Sequence, residues 1–102
     1  MRLTVKDRII LQQILPGQAG LKEIGNIIEC SGLLDLTDKE KDGFDYKEEN
    51  GSITWNPDLD TEREIELRHD HITVLKNAVQ KLDDNGQVTV QQYETFLKII
   101  KV

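Results

Sequence analysis

The sequence feature that most constrains the fold is a pair of apolar-periodic segments separated by the polar stretch 83–86. In both segments apolar residues recur every three or four positions, which is typical of a helix that buries one face. The first stripe consists of Ile72, Leu75, Val79 and Leu82, widened by Val74 and Ala78, and the second of Tyr93, Phe96, Leu97 and Ile100. Thr89 is a good N-cap for the second helix. The sequence therefore predicts a closing helix–turn–helix pair over residues 70–100, whose stripes the rest of the chain must cover.

A first helix is indicated near the start of the sequence. Thr4 and Asp7 have the spacing of a capping box, and the apolar positions that follow are unusually numerous before Pro16 and Gly17 stop the helix. An apolar surface of this width predicts a central position in the core. Exposure of part of it as a dimer or partner surface is the alternative.

The next segment predicts a second helix, from Leu21 to a glycine C-cap near Gly32. Gly25 lies inside this helix, where glycine costs about 1 kcal/mol relative to alanine. It therefore either permits close approach of another element or argues against the helix. Thr37 and Glu40 then have capping-box spacing and predict a short helix that ends by residue 43.

Residues 44–55 change to an alternating pattern around Asn50 and Gly51. Asn-Gly between alternating segments predicts a β-hairpin, because a type I′ turn needs positive φ at both central residues. Residues 63–67 alternate again and predict a third strand with Ile65 and Leu67 facing inward. The predicted fold is a single α+β domain over residues 1–102, with helices at both ends around a small antiparallel sheet formed by the hairpin and the third strand.

Acidic residues are concentrated in the middle of the sequence. The net charge is −6 overall, but −8 within residues 35–70 and +2 in the remainder. Direct binding to nucleic acid or to an anionic membrane is disfavoured, because both require a basic face. The predicted partner-binding residues are Asp58, Asp60, Glu62, Glu64, Glu66 and the aromatic anchor Trp55. They would meet a basic surface on another protein; a solvated acidic face, with the tryptophan packed over the helices, is the alternative.

Residues 83–94 resemble a calcium-binding EF-hand loop, with Asp83 and Glu94 at its first and last ligand positions. The sixth position, where such loops turn sharply on glycine, is the β-branched Val88. Gly86 is better explained as the C-cap of the preceding helix, with Val88 packed inward. The pattern therefore predicts a structural connection between two helices.

The remaining candidates for chemistry also favour structural roles. His69 and His71 flank Asp70 at a strand-to-helix junction, where Asp70 suits an N-cap, so their spacing is not that of a metal or acid–base site. Cys30 lies among apolar residues, which indicates a buried hydrophobic side chain. The sequence contains no nucleophile elbow, phosphate-binding glycine loop or zinc spacing. We therefore expect a protein that is not an enzyme and holds no cofactor or metal.

The sequence also bears on localisation. No apolar run reaches the roughly 18 residues of a membrane span, and the first residues lack the apolar core and cleavage site of a signal peptide. The expectation is a cytoplasmic protein.

The order of these elements resembles a family of short uncharacterised proteins encoded by bacterial phages and prophages. The resemblance is carried by the first helix (3–8, ending at Leu15-Pro16), the Leu36-Thr37 cap, strands at 51–56 and 64–67, and the helical pair from Leu82 to Phe96. It spans nearly all of the chain, but its motifs are structural. It implies a cytoplasmic phage or prophage product and assigns no functional residue.

Together these observations predict a non-enzymatic protein-interaction module of phage or prophage origin, which binds another protein through its acidic middle. One alternative is an acidic nucleic-acid mimic that inhibits a DNA-binding protein. A second alternative is a degenerate EF-hand-like, calcium-responsive protein. The wide apolar surface of the first helix leaves a homodimer open as well.

Overall fold

The computed structural model describes residues 1–56 and 62–102 and confirms the α+β class, with helices at both ends. The helices are α1 (Val5–Ile14), α2 (Leu21–Leu34), α3 (Asp38–Gly43), α4 (His69–Asp84) and α5 (Tyr93–Ile100), with a 3₁₀ turn at Val90–Gln92. The strands are β1 (Arg2–Leu3), β2 (Lys47–Glu49), β3 (Ser52–Thr54) and β4 (Arg63–Glu64). Within the described ranges, none of the helices is long and apolar enough to cross a lipid bilayer.

Both predicted capping boxes are present. The Thr4 hydroxyl accepts a hydrogen bond from the backbone N–H of Asp7 (3.1 Å), and the Asp7 carboxylate accepts one from the Thr4 N–H (3.0 Å). Thr37 and Glu40 exchange the equivalent bonds at the start of α3. The apolar face of α1 is buried, so the prediction of a central position for this helix is confirmed.

The hairpin is confirmed, but the third strand lies in a different sheet from the one predicted. Asn50 and Gly51 have φ of 53° and 79°, as a type I′ turn needs, and β2 pairs with β3 in antiparallel register. β4 pairs instead with β1, forming a separate two-stranded sheet. The physical reason is burial, because Leu3 of β1 and Ile65 next to β4 are both in the main core.

The core has two parts. The main core is built by β1, α1, α2, α4 and α5 and consists of Leu3, Ile10, Leu11, Cys30, Leu34, Ile65, Leu75, Val79, Phe96 and Ile99. A second cluster is formed by Val5, Ile9 and Leu36, which the half-buried residues Phe44, Tyr46, Ile53 and Trp55 cover. The hairpin therefore lies over α1, and Trp55 packs on the helices rather than standing free.

Two predicted helix ends differ from the structure. α2 continues through Gly32 to Leu34, so the prediction of Gly32 as its C-cap is wrong. α4 begins at His69 with Arg68 as its N-cap, so the prediction of Asp70 in that role is also wrong. The ring of His71, and not a carboxylate, accepts the hydrogen bond from the backbone N–H of the N-cap residue Arg68 (3.2 Å).

The buried face of α5 also differs from the predicted stripe. The 3₁₀ turn at Val90–Gln92 follows the Thr89 cap and delays the start of α5 to Tyr93. Phe96 and Ile99 are buried, whereas Tyr93 and Ile100 are exposed. Two residues of the predicted stripe are therefore left facing solvent.

A buried arginine joins α1 to α2 and α3. Arg8 is 2% exposed, and its Nε donates to the carbonyl of Leu34 (2.9 Å) while Nη2 donates to the carbonyl of Asp35. Its guanidinium also pairs with the Glu40 carboxylate, which in turn pairs with Arg63 of β4 (2.7 Å). Arg8 thus donates hydrogen bonds to carbonyl groups at the end of α2, where no glycine C-cap motif pairs with them.

These contacts set the ionisation of two acidic groups. Burial alone would raise the pKa of Glu40, but the hydrogen bonds from Arg8 and the Thr37 N–H, with the charges of Arg8 and Arg63, lower it to about 2. Burial likewise opposes the ionised form of Asp7. Hydrogen bonds from Lys98 (2.6 Å), Thr95 and the Thr4 N–H outweigh it and lower the pKa of Asp7. Both carboxylates are therefore stabilised as anions by the fold.

Replacement of Arg8 by methionine is predicted to destabilise the protein by about 3–5 kcal/mol, because it removes the buried partner of the Glu40 carboxylate and the side-chain donor to the carbonyls of Leu34 and Asp35. Urea denaturation measures the loss. Arg63→Met is the matched control, since it removes a partner from the same carboxylate at a side chain that is 56% exposed; its expected cost is at most about 1 kcal/mol. Equal losses for the two variants would contradict the role given to Arg8.

Stability is also predicted to fall on acidification. The folded-state pKa values of Glu40 and Asp7 lie below their ordinary values, so folding favours the ionised forms. The resulting stabilisation is present above about pH 5 and is lost as the pH falls towards about 2, and Glu40 supplies up to about 3 kcal/mol of it. Urea denaturation across this range tests the sign. Glu40→Gln should lower stability at neutral pH and flatten the decline, and an unchanged slope would speak against this assignment.

Candidate functional site: the outward face of α2

α2 is firmly anchored along one side. Ile27, Cys30 and Leu34 are buried on this side, in a helix that packs against α1 and α4. The side chain of Gln12 in α1 adds a hydrogen bond to the carbonyl of Ser31 (3.0 Å). The rotation of α2 about its own axis is therefore fixed, and so is the side that it turns to solvent.

The solvent side of α2 is apolar. We define the α2 face as Leu21, Gly25, Ile28 and Gly32, which share one side of the helix because they are spaced by four, three and four residues. Leu21 is 94% exposed and Ile28 67% exposed, whereas the adjacent Ile27 is only 6% exposed. Two large aliphatic side chains thus project from a rigid helix into water.

The two glycines of the α2 face have no partner inside the fold. A Cβ atom placed on Gly25 or on Gly32 would meet nothing within 4 Å among the described residues. Neither alternative considered for Gly25 holds within the described residues, because the helix is present and no other described element approaches this position. Because the helix continues through both positions, neither glycine serves a turn.

A groove of about 700 Å³ lies next to the α2 face. Leu33 and Leu67 form apolar parts of its wall, and Glu29, Arg68 and His71 line a polar part. Gly32 belongs to both the groove and the α2 face. The apolar surface of α2 therefore continues into a concave site.

The polar wall of the groove is an ordered cluster rather than a free catalytic group. The Nδ1 atom of His71 accepts the backbone N–H of Arg68 (3.2 Å), so the neutral ring carries its proton on Nε2, which lies 3.1 Å from the Glu29 carboxylate. Arg68 also donates to Glu29. Both ring nitrogens are engaged, one in capping α4 and one in tying α4 to α2. This geometry favours the structural role predicted for His71.

The connection after α4 has the geometry of a helix C-cap. Gly86 has φ of 63°, and the N–H of Gln87 donates to the carbonyl of Leu82 (2.8 Å) while the N–H of Gly86 donates to that of Asp83 (3.0 Å). These bonds form a Schellman motif, so the predicted C-cap is confirmed. Val88, in contrast, is 37% exposed and does not pack inward as predicted. Among the residues that the structure describes, no group of three or more His, Cys, Asp or Glu side chains could hold a metal ion.

The acidic residues predicted to bind a partner are only partly described. Asp58 and Asp60 lie outside the described residues. Glu62 lies 3.4 Å from Arg2 and 3.3 Å from Lys98. Glu64 accepts a hydrogen bond from the Met1 amino group (2.7 Å), which lowers the pKa of Glu64. Glu66 is exposed and lines the groove. Part of this negative charge is therefore compensated within the chain.

The two remaining candidates are held in the interior or at its edge. Trp55 is half-buried and packs against the second cluster on α1, as the packing alternative proposed. Cys30 is completely buried, and burial raises the pKa of its thiol to about 11. The thiol therefore stays protonated at neutral pH, as expected for a structural cysteine.

Comparisons with protein-family models, with curated proteins and with solved structures found no match to this chain. The suggested relation to a phage or prophage family therefore stays a prediction. Any functional assignment depends on the chemistry and geometry of the chain itself.

The α2 face and the groove were not predicted from the sequence. The apolar positions Leu21, Ile24, Ile27 and Ile28 indicate a helix, but they do not show which of its sides is buried. A signal was nevertheless present, because Leu21 and Ile28 are seven residues apart and so are Gly25 and Gly32. Residues that are seven positions apart lie on the same side of an α-helix, so these four residues share a side that does not contain the buried positions.

Gly25→Ala is predicted to stabilise the isolated chain by about 1 kcal/mol, because alanine is the better helix former and the added methyl group meets no atom. Urea denaturation at low protein concentration tests this. Gly86→Ala is the control, since the same change at a left-handed φ should destabilise. A loss of stability in Gly25→Ala would show that this glycine is needed inside the fold.

Proposed function

We propose that the protein is a non-enzymatic protein-interaction module whose contact surface is the α2 face. The observation that supports this proposal is the exposure of Leu21 (94%) and Ile28 (67%) on a helix whose opposite side is fully packed. Full burial of an aliphatic side chain of this size is worth roughly 1.5–3 kcal/mol. A partner that covered both residues would gain this energy without any rearrangement of the fold.

The buried ionisable groups support a role without catalysis. Asp7 belongs to the capping box of α1 and binds Thr95 and Lys98. Arg8 satisfies the end of α2, and His71 caps α4. Each of these groups has a structural task that accounts for its position. Catalytic sites, in contrast, often contain an ionisable residue whose pKa is shifted and that has no structural role.

The apolar surface is favoured over the acidic one as the site of contact. Glu62 and Glu64 already interact with Arg2, Lys98 and the Met1 amino group, so a basic partner would have to compete with these contacts. Exposed ion pairs of this kind contribute little binding energy. An acidic face that mimics nucleic acid and a phage or prophage origin remain predictions of the sequence alone.

A pull-down from native host lysate tests the contact surface. We expect the tagged protein to capture a partner that remains bound at high salt, because apolar contacts are not screened. Ile28→Asp should reduce capture at least about tenfold. Val90→Asp is the matched control, since Val90 is equally apolar, 93% exposed and outside α2.

Two results would contradict the proposal. One is capture that Ile28→Asp and Val90→Asp leave equally strong, which would place the contact elsewhere. The other is capture that disappears at high salt and is weakened by Glu66→Gln, which would favour the acidic face.

A further inference from the structure

The α2 face alternates large and small residues along the helix. In chain order it presents Leu21, Gly25, Ile28 and Gly32. Because successive residues are about 100° apart around an α-helix, these four lie within a sector of about 60°. The face is therefore a narrow ridge with two projecting side chains and two bare backbone positions that are open to solvent.

The order of large and small residues is complementary to that of a second copy of the helix that runs in the opposite direction. The midpoint of the α2 face lies between Asn26 and Ile27. Around a two-fold axis at this midpoint, Leu21 lies opposite Gly32 of a second copy, and Gly25 lies opposite Ile28 of that copy. Each large side chain then meets a position without a side chain, which lets two helices approach closely.

We infer that α2 pairs with α2 of a second copy of this chain, in an antiparallel and two-fold symmetric arrangement. The inference rests on the proposed function, in which the α2 face binds protein, and names the partner. Such an interface is isologous, because the same patch is used on both copies. A parallel pair is disfavoured, since it would set Leu21 against Leu21 and Ile28 against Ile28.

The charges beside the α2 face fit the same arrangement. Lys22 and Glu29 lie on the same flank of the helix, and equal flanks meet in a two-fold antiparallel pair. Because each residue rises about 1.5 Å along an α-helix, Lys22 of one copy and Glu29 of the other differ by only about 3 Å in their position along the helix axis. Lys22 therefore lies near Glu29 of the second copy. The Glu29 side chain is 55% exposed, and both Arg68 and His71 contact its Oε2 atom, so Oε1 is able to accept the contact from Lys22.

The size of the interface sets the expected affinity. α2 has 14 residues and is about 21 Å long. A helix pair of this length is at the small end of specific interfaces, even when Leu33 at the edge of the groove contributes. We therefore expect dissociation in the micromolar range, detectable by sedimentation equilibrium of the purified chain.

The test exchanges large and small residues at one pair of positions. Gly25→Ile sets two large side chains against each other twice in a symmetric dimer, and Ile28→Gly leaves two voids. Each variant alone is expected to dimerise at least about tenfold more weakly than wild type. An equimolar mixture of the two variants restores large-against-small contacts at both positions. It should form a heterodimer of near wild-type affinity, read by native mass spectrometry.

The mixture separates a specific pairing from general apolar adhesion. Stronger self-association of Gly25→Ile would mean adhesion without this register and would overturn the inference. Failure of the mixture to associate, or a dimer unaffected by both variants, would overturn it as well. Both positions are exposed, and circular dichroism checks that the variants remain folded; Ile28→Ala replaces Ile28→Gly if the added glycine lowers helicity.

A wild-type chain that stays monomeric up to about 1 mM would exclude pairing of any useful affinity. The proposed function would survive that result if a captured host protein were lost with Ile28→Asp and kept with Val90→Asp. It would fail together with the inference if the chain were monomeric and the α2 face captured nothing. The two experiments thus distinguish a wrong partner from a wrong surface.

Discussion

The buried guanidinium of Arg8 is the interaction on which the arrangement of the helices depends. A buried arginine is tolerated only when its donors are satisfied, because desolvation of the charge costs several kcal/mol. In this fold the acceptors are the carbonyls of Leu34 and Asp35 and the carboxylate of Glu40. They come from the end of α2 and the start of α3, so these segments are held at one point on α1. The direction in which α2 leaves that point decides which of its sides reaches solvent.

Sequence reasoning succeeded where the determining chemistry lies within a few residues. The Thr4 and Thr37 capping boxes and the Asn50-Gly51 turn have the predicted geometry, because the partners are at most three residues apart. It failed at the end of α2, where a glycine C-cap was expected and an arginine 26 residues away supplies the hydrogen bond instead. The pairing of β1 with β4 was likewise not predictable, since the two residues of β1 show no periodicity and the alternation of residues 63–67 does not specify the partner strand.

The candidate site illustrates the same division. Ile27 and Ile28 are adjacent residues of the same type, yet Ile27 is buried and Ile28 is exposed. Only the packing of α2 against α1 and α4 distinguishes them. The surroundings of the acidic residues depend on the same kind of contact, because the sequence does not reveal that Glu62 lies beside Lys98 across the fold. Local composition identifies which residue types are present, whereas long-range contacts decide which of them remain available.

Gly25 and Gly32 lie inside a helix although glycine has a low helix propensity. Each costs a helix about 1 kcal/mol relative to alanine, and neither provides a turn or room for a neighbour within the described chain. Departures of this kind from local consistency are expected at functional or strained positions. At Gly25 and Gly32 the backbone is an ordinary helix, so strain does not account for them. An explanation in terms of a partner surface is then the simpler one, since an approaching helix would use the open backbone beside Leu21 and Ile28.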